Sequence, residues 1–467
     1  MHFSLPVLED NIAFDIHYFP SIVYNETYYQ GGITMSVRIF KGTVIYTDTL
    51  DKLTVINNCH VVVQDGIIID VIEGDLNGRY PEADITDYGN GIIIPAFTDL
   101  HMHAPQFVER GVGMDCLLFD WLNNYTFPQE SMFKDTDYAR IIYAQLLYEM
   151  IKHGTLHTAL FTTIHYDSCD LLFRMLIESG MYAYSSKINM DQNSPEFYVE
   201  DTQKSLEDTE RFIIEHKDLS DHVKPILIPR FAPTCSRELL TGLGKLAEKY
   251  DLGIHTHLVE SKAEAAWSKE LFPDCASDGE IYEKTGLLKG KGPKIFAHVI
   301  FPTETEERIL KQYDCVSVHC PDSTSNITAG IMPASVMLNK DMKIALGSDV
   351  GGGHFLGIYR QIARTVQISK MKEFYEPDYK RLVFANAFYM ATVTGGEVFG
   401  KIGKIKPGYQ FNALVLDNLQ DEGYTLTPEE CLERFCYGGD DRNIVHRFID
   451  GKEIDPQTVL KKLKTIG

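Results

Sequence analysis

The stretch IPAFTDLHMH, residues 94–103, decides how the rest of the chain is interpreted. It is a short apolar run that ends in two histidines, His101 and His103, separated by one residue. Side chains alternate between the faces of a strand, so we expect both imidazoles to point the same way, together with Phe97 and Asp99. Two imidazoles at the end of one strand can bind one zinc or iron ion, and such an ion turns water into a nucleophile near neutral pH.

The composition favours a protein with a large core that works on a small molecule. The chain has 467 residues, of which 44% are hydrophobic, which is more than one small domain needs. The net charge of −22 argues against a nucleic-acid partner. Neither a membrane span nor a secretory signal is predicted. The nine cysteines are scattered without a CxxC pair, which predicts reduced thiols and a cytoplasmic location.

The pattern of short strands predicts how the chain divides into domains. Residues 1–34 show no clear period and are predicted to be an N-terminal extension of unknown role. Short strands broken by Asp, Asn and Gly begin at Met35, and similar strands return near the C-terminus. We therefore predict a small β-sandwich domain built from both chain ends, residues 35–95 and 397–467, beside a central domain of residues 96–396.

The central segment alternates strands with helices, which places the chain in the α/β class and predicts a (β/α)8 TIM-like barrel. In the first predicted helix, Ile141 and Ile151 are expected on the same buried side as Ala144, Leu147 and Tyr148. The predicted strands are residues 97–101, 157–162, 182–187, 224–229, 253–257, 294–298, 316–319 and 343–347. The predicted helices include residues 136–152, 201–216, 236–250, 303–312, 356–372 and 378–394.

Candidate catalytic groups recur where the predicted barrel strands end, which is where active sites of such barrels lie. Three or four imidazoles and one carboxylate would converge there, and such a set fits a metal site with room for water. In strand order, the residues are His101 and His103, His255 and His257, Glu260, His298, and Asp349.

Several roles stay open on the residue pattern alone. One metal needs only one histidine of the fifth strand, and we favour His257, nearer the strand end, over His255 inside the barrel. Glu260 has the opposite strand parity from His257, so it would lie in the loop, as a proton-transfer group or a solvated residue. Asp349 would either bind the metal or only form a turn before the run of glycines that follows it. A site with two metals would need a lysine at the end of strand four to bridge them, and Arg230 occupies that position.

Longer motifs carry a resemblance to a known family. With the metal pattern they resemble the amidohydrolase superfamily and, within it, the guanine deaminases, over about residues 35 to 454. The motifs are HAPQ at 103–106, FDWLNNYTFP at 119–128, HGT at 153–155, FTTIHYDS at 161–168, PRF at 229–231, CS at 235–236 and YGGDDRNI at 437–444.

The resemblance implies the roles of individual residues and a homodimer. One zinc ion would be held by four side chains, although such donors also accept iron. An Arg fork suits the O6 and N7 acceptors of guanine, a Gln amide both donates and accepts, and an aromatic ring such as Trp121 packs on the ring face. The implied metal ligands are His101, His103, His257 and Asp349. The implied substrate contacts are His103, Ala104, Pro105, Gln106, Arg230, Phe231, His257, Glu260 and Asp349.

The reaction that the resemblance implies is the hydrolytic deamination of guanine to xanthine and ammonia. Asp349 would orient the attacking water, Glu260 would protonate the ring nitrogen beside C2 and then the leaving amine, and His298 would stabilise charge on the oxygen. Two alternatives stay open. One is a related aminated ring, 8-oxoguanine or isoxanthopterin, and the other is a non-catalytic scaffold, which would lack some of the ligands.

The sequence departs from the family pattern at three places. Ala96 stands where the family usually has Gly. The segment after His319-Cys320-Pro321 reads Asp322-Ser323-Thr324 instead of Ser-Asn, which leaves substrate choice by this loop open. Asn412 replaces a usual Asp in the β-domain, away from the predicted chemistry.

Overall fold

The computed structural model describes residues 37–417 and 419–466, so the predicted extension of residues 1–34 lies outside the described residues. The strands are β1 (Arg38–Thr49), β2 (Lys52–Gln64), β3 (Ile67–Glu73), β4 (Asp84–Pro95), β5 (Phe97–Asp99), β6 (Thr155–Leu160), β7 (Tyr182–Ser185), β8 (Ile188–Asn189), β9 (Val223–Lys224), β10 (Ile228–Pro229), β11 (Ile254–Leu258), β12 (Lys294–His298), β13 (Val316–His319), β14 (Lys343–Leu346), β15 (Ala413–Leu416), β16 (Ile444–Ile449) and β17 (Lys452–Glu453).

The strands alternate with helices through the middle of the chain. The α-helices are α1 (Leu118–Trp121), α2 (Phe127–Ser131), α3 (Thr136–Lys152), α4 (Tyr166–Ser179), α5 (Thr202–His216), α6 (Arg237–Tyr250), α7 (Lys262–Leu271), α8 (Asp278–Lys284), α9 (Glu304–Gln312), α10 (Pro321–Asn326), α11 (Ala334–Leu338), α12 (Ile358–Tyr375), α13 (Phe384–Tyr389), α14 (Gly395–Glu397), α15 (Pro428–Gly438) and α16 (Pro456–Leu463). Among the described residues, no helix combines the length and apolarity needed to cross a membrane.

Strands from both ends of the chain form a single sheet, in the order β17-β16-β15-β4-β1-β2-β3. The two ends meet where β15 pairs with β4 in antiparallel fashion. The rings of Phe40 on β1 and Phe448 on β16 are 5.0 Å apart although two strands separate them, so the sheet curls around its own core. The small domain was predicted to be a β-sandwich, and its strand pairing gives one seven-stranded sheet, with an irregularity between Gly42 and Val44 at which the long strand β1 can bend.

The central strands are parallel and follow one another side by side. Two four-stranded sheets, β5-β6-β7-β9 and β11-β12-β13-β14, are accompanied by the pair β8-β10. A bridge between Leu227 and Ile254 joins the first half to the second. The Leu100 amide donates to the Leu346 carbonyl at 3.1 Å, which brings the last strand back to the first. The segments that follow these strands therefore meet at one end.

The bounds of most predicted strands and helices are confirmed to within a few residues, and three expectations are wrong. The strand predicted at residues 224–229 is split into β9 and β10, because Pro225 has no N–H for the ladder. The helix predicted from residue 378 begins only at Phe384. In α3, Ile141 is 58% exposed, and the buried side carries Ile142 and Leu146 instead.

A polar network joins the curled sheet to the parallel strands. Asn412 donates from Nδ2 to His157 Nε2 on β6 at 2.9 Å, and its side-chain carbonyl accepts from the Asp450 amide at 2.7 Å. The Asp450 carboxylate accepts from the Tyr182 hydroxyl at 2.9 Å and lies 3.1 Å from His222 Nε2. An amide both donates and accepts, whereas a carboxylate only accepts, so asparagine suits this position better than the usual Asp.

We expect the His222–Asp450 pair to make stability depend on pH. The hydrogen bond that His222 donates to the Asp450 carboxylate raises the pKa of His222, so its contribution to stability is present below the unfolded pKa and lost as pH rises through the folded pKa. Burial opposes the charge of Asp450, yet hydrogen bonds from His222 and Tyr182 lower its pKa, so its contribution is lost as pH falls. Urea midpoints of wild type and His222→Gln should differ most near pH 5–6 and converge above about pH 8. A pH-independent difference would contradict this role.

Candidate active site

The side chains predicted to bind a metal converge where the parallel strands end. Asp349 Oδ1 lies 3.2 Å from His101 Nε2 and 3.6 Å from His103 Nε2. His103 Nε2 is 3.3 Å from His257 Nε2. All four side chains are buried, and burial lowers the pKa of each imidazole, that of His101 to about 3, so the rings are neutral and offer lone pairs. Three neutral imidazoles and a carboxylate that face one another can hold a single metal ion.

Other groups behind this cluster fix the direction of its imidazoles. His257 Nδ1 donates to the Arg230 carbonyl at 2.6 Å, which leaves Nε2 free to point into the cluster. His101 Nδ1 lies 2.9 Å from His255 Nε2, and a hydrogen bond donated by His101 Nδ1 leaves His101 Nε2 with its lone pair. His255 is thus a polar residue behind the cluster. This is the position predicted for it when His257 was favoured as the metal ligand of that strand.

His298 and Glu260 approach the cluster from its other side. His298 Nε2 is 3.7 Å from Asp349 Oδ2 and 3.6 Å from Glu260 Oε1. Glu260 lies past the end of β11, and the backbone before it turns at Val259, whose φ is +44°. His298 and Asp349 have φ values of +73° and +47°, also in the left-handed region that non-glycine residues rarely adopt. Such strain occurs where the surrounding fold holds functional side chains in place.

Burial makes Glu260 a weak acid. Loss of solvent raises its pKa well above the ordinary value, and the nearby carboxylates of Glu264 and Asp349 raise it further. A carboxyl group that holds its proton more tightly than it does in water is suited to donate that proton to a substrate.

A cavity of about 480 Å³ opens beside the cluster. Its walls combine aromatic and aliphatic side chains with a few convergent polar groups, as is usual for small-molecule sites. The lining residues are His103, Gln106, Leu118, Trp121, Leu122, Arg230, Phe231, His257, Glu260, Glu264, Ser323, Ile327, Asp349 and Gly352.

Comparison with known proteins places the chain in a family. The model of the Amidohydrolase family matches residues 92–454. Guanine deaminase of Dictyostelium discoideum is 33% identical over 90% of this chain and 98% of its own length, and that of Rattus norvegicus is 31% identical over 90% and 96%. The chain belongs to the amidohydrolase family, among its guanine deaminases. The crystal structure of guanine deaminase from C. acetobutylicum with bound guanine in the active site superposes with a TM-score of 0.87 and 45% identity, covering 90% of this chain and all of the other.

Behind the cavity wall of this amidohydrolase lies a buried ion pair that sequence reasoning missed. Glu130 accepts from both Nη1 and Nη2 of Arg230, at 2.5 and 3.1 Å, and from Gln106 Nε2 at 2.7 Å. The Gln106 carbonyl in turn accepts from the Gly351 amide at 3.1 Å. Glu130 therefore fixes the two polar groups predicted to bind the purine. Glu130 lies two positions after the end of the FDWLNNYTFP motif, and this place beside the motif was the available signal.

Not every residue implied by the resemblance reaches the cavity of this amidohydrolase. Ala104 and Pro105 are buried in the 3₁₀-helix Ala104–Glu109 and are absent from the cavity walls, with Ala104 in the hydrophobic core. Phe97 packs against outer aromatic rings such as Phe388 and not beside His101, because β5 ends at Asp99 and strand alternation stops there. Lys187 lies 2.5 Å from Glu200 in a buried ion pair, which agrees with a structural role.

Proposed function

We propose that this amidohydrolase deaminates guanine to xanthine and ammonia by hydrolysis. The observation that carries the proposal is the position of the His101, His103, His257 and Asp349 cluster at the edge of a cavity lined by Arg230 and Gln106. The similarity to curated guanine deaminases along nearly their whole length supports the same activity.

The architecture proposed for the enzyme is a closed (β/α)8 barrel, residues 96–396, with residues 35–95 and 397–467 in the small β-domain. The return of β14 to the first strand supports closure of the barrel. The family resemblance supports a homodimer, and the scattered cysteines support a cytoplasmic location. The net charge of −22 favours a small-molecule substrate over a nucleic acid, and no membrane partner is proposed because no long apolar run occurs.

The donor set fits one zinc ion held by His101, His103, His257 and Asp349, and iron would suit the same donors. His101 Nε2 is buried without a hydrogen-bond partner in the described part of the chain, as expected for a nitrogen whose lone pair binds a metal. When bound, zinc would supply a water molecule whose pKa is lowered toward about 7.

The protein groups then perform the proton transfers. Asp349 orients the attacking water and draws its proton, and Glu260 protonates the ring nitrogen beside C2, which makes C2 more electrophilic. Glu260 next carries a proton to the leaving amine. His298, with both ring nitrogens unpartnered among the described residues, is placed to stabilise charge on the attacking oxygen. Water contributes two hydrogens, one to the ring nitrogen and one to ammonia, so the reaction balances.

Substrate selection is assigned to polar and aromatic side chains of the cavity wall outside the donor cluster. The Arg230 guanidinium and the Gln106 amide, held by Glu130, offer hydrogen bonds to the acceptor edge of guanine. Phe231 and Trp121 line the same cavity and can pack on the ring faces. His103, His257, Glu260 and Asp349 complete the proposed contacts, with Ala104 and Pro105 supporting them from the buried 3₁₀-helix.

Two alternatives to guanine turnover are tested by one experiment. 8-Oxoguanine and isoxanthopterin share the aminopyrimidinone edge that Arg230 and Gln106 would bind, while a non-catalytic scaffold would turn over neither. An ammonia-release assay over a panel of purines and pterins should give the highest kcat/KM for guanine. A higher value for a pterin or 8-oxoguanine would reassign the substrate, and no release from any of them would refute the enzyme.

Removal of the metal is expected to abolish activity reversibly. Dialysis against a chelator should lower ammonia release to background, and one equivalent of zinc per chain should restore it, because the four buried donors can hold one ion. Metal content measured by mass spectrometry is the check. His255→Gln, which changes a histidine behind the cluster, should weaken metal binding less than His257→Gln does. Full activity of the metal-free protein would contradict the assignment.

A further inference from the structure

A second, larger cavity lies on the far side of helix α7 from the proposed catalytic cavity. It has a volume of about 800 Å³, and its walls include Val259, Ser268 and Asp278. Glu260, the next residue after Val259, lines the catalytic cavity. A single stretch of backbone after β11 and the first turns of α7 therefore separate the two cavities.

Three buried polar side chains lie between the two cavities. Glu264 lines the catalytic cavity, and Ser268 lies one helical turn further along α7 on the same buried side. Asp278 begins helix α8, which packs against α7. Apolar residues such as Phe272 and Ile281 lie around them, and the buried carboxylate of Glu306 lies near Asp278.

Each of these side chains has an oxygen left over. Glu264 uses Oε2 to accept from the Glu260 amide at 2.7 Å, which holds the catalytic loop, while Oε1 has no hydrogen-bond partner. Ser268 Oγ and Asp278 Oδ2 are also buried without a hydrogen-bond partner of ordinary geometry among the residues that the structure describes, and Ser268 lies close enough to Asp278 to lower the pKa of that carboxyl. Polar atoms so deeply buried are normally satisfied, and water molecules between them would complete a chain of proton-exchanging groups.

We propose that Glu264, Ser268 and Asp278 form a proton path that connects Glu260 in the catalytic cavity with the second cavity. The inference rests on the proposed deamination. Hydrolysis balances with the two protons of water and yields xanthine and neutral ammonia, and the released ammonia takes up one further proton when it becomes ammonium near neutral pH. The path supplies that proton from solvent to Glu260, and each carboxyl passes on one proton as it receives another.

The acidity of the carboxyl groups agrees with this role. Burial, together with the charge of Asp278, raises the pKa of Glu264 to about 8, and burial raises the pKa of Asp278 to about 7. Groups whose pKa values lie near the pH of the medium exchange protons readily in both directions.

The test compares Glu264→Gln, Ser268→Ala and Asp278→Asn with Glu270→Gln, an exposed carboxyl on the same helix. The amide of Glu264→Gln can still accept from the Glu260 amide, so the loop is retained. In dilute buffer each of the three path variants should lose about tenfold in kcat for guanine, with KM and bound metal unchanged, and Glu270→Gln should match wild type.

A rescue measurement separates proton transfer from structure. Raising inorganic phosphate at constant ionic strength should restore kcat of Asp278→Asn to within about twofold of wild type, because a diffusible acid replaces the lost group. The solvent deuterium isotope effect on kcat should rise in the same variant. Unchanged kcat in all three variants, or a loss that phosphate does not rescue, would overturn the path. A wild-type protein that releases no ammonia from guanine would instead refute the proposed function.

Discussion

Glu260→Gln is expected to lower kcat for guanine by about 100-fold or more while zinc stays bound. The side chain lies outside the four-donor cluster, and its Oε1 is 3.6 Å from His298 Nε2, where a proton can reach the substrate ring. Glutamine keeps the shape and polarity but cannot carry a proton between water, ring and amine. The checks are steady-state kinetics and metal analysis on the same preparation.

The contrast with a metal ligand makes this result specific. His257→Gln should lose activity together with metal, whereas Glu260→Gln should lose activity alone. Full turnover in Glu260→Gln would remove the residue from the proposed mechanism. Loss of zinc from that variant would show instead that Glu260 binds the ion, since its carboxylate also lies near His257 and His298.

Glu130→Ala is expected to lower the free energy of unfolding by about 3–5 kcal/mol. Glu130 is fully buried and accepts two hydrogen bonds from the Arg230 guanidinium, so its removal leaves a buried charge without a partner. Gln106 loses its acceptor as well, and KM for guanine should rise because both groups assigned to the purine are released. Denaturant unfolding and kinetics measure the two effects.

The matched control removes the same chemistry from the surface. Arg381 and Glu373 are 2.8 Å apart in an exposed pair, and Glu373→Ala should change stability little because water screens both charges. If Glu130→Ala and Glu373→Ala behave alike, the buried pair does not stabilise the cavity as argued.

The donor cluster could be read from the sequence because metal sites in such barrels use strand ends, and strand ends can be counted. His257 lies in β11, whereas His101 and His103 follow β5 and Asp349 follows β14, and the order of these three strands brings the four residues together. The parity argument also placed Glu260 in the loop beyond β11, where the structure has it.

The parts that could not be predicted depend on packing between distant segments. Glu130 meets Arg230 across 100 positions of sequence, and no local pattern of residues announces such a partner. Asp278 looks like an ordinary first-turn acid on a helix, and only tertiary structure shows that it is buried beside Ser268. The curl of the small sheet likewise depends on long-range contacts, such as that of Phe40 with Phe448.

The pairing of β4 with β15 also has a consequence for the nascent chain on the ribosome. The N-terminal strands emerge first from the ribosome. One edge of β4 nevertheless stays unpaired until its neighbour β15, more than 300 positions later in the sequence, has been synthesised. Until then Ile92, Ile93 and Ile94 offer an unpaired apolar edge that other chains can join. Translation that stops before residue 413 should therefore leave an aggregation-prone polypeptide that chaperones must shield.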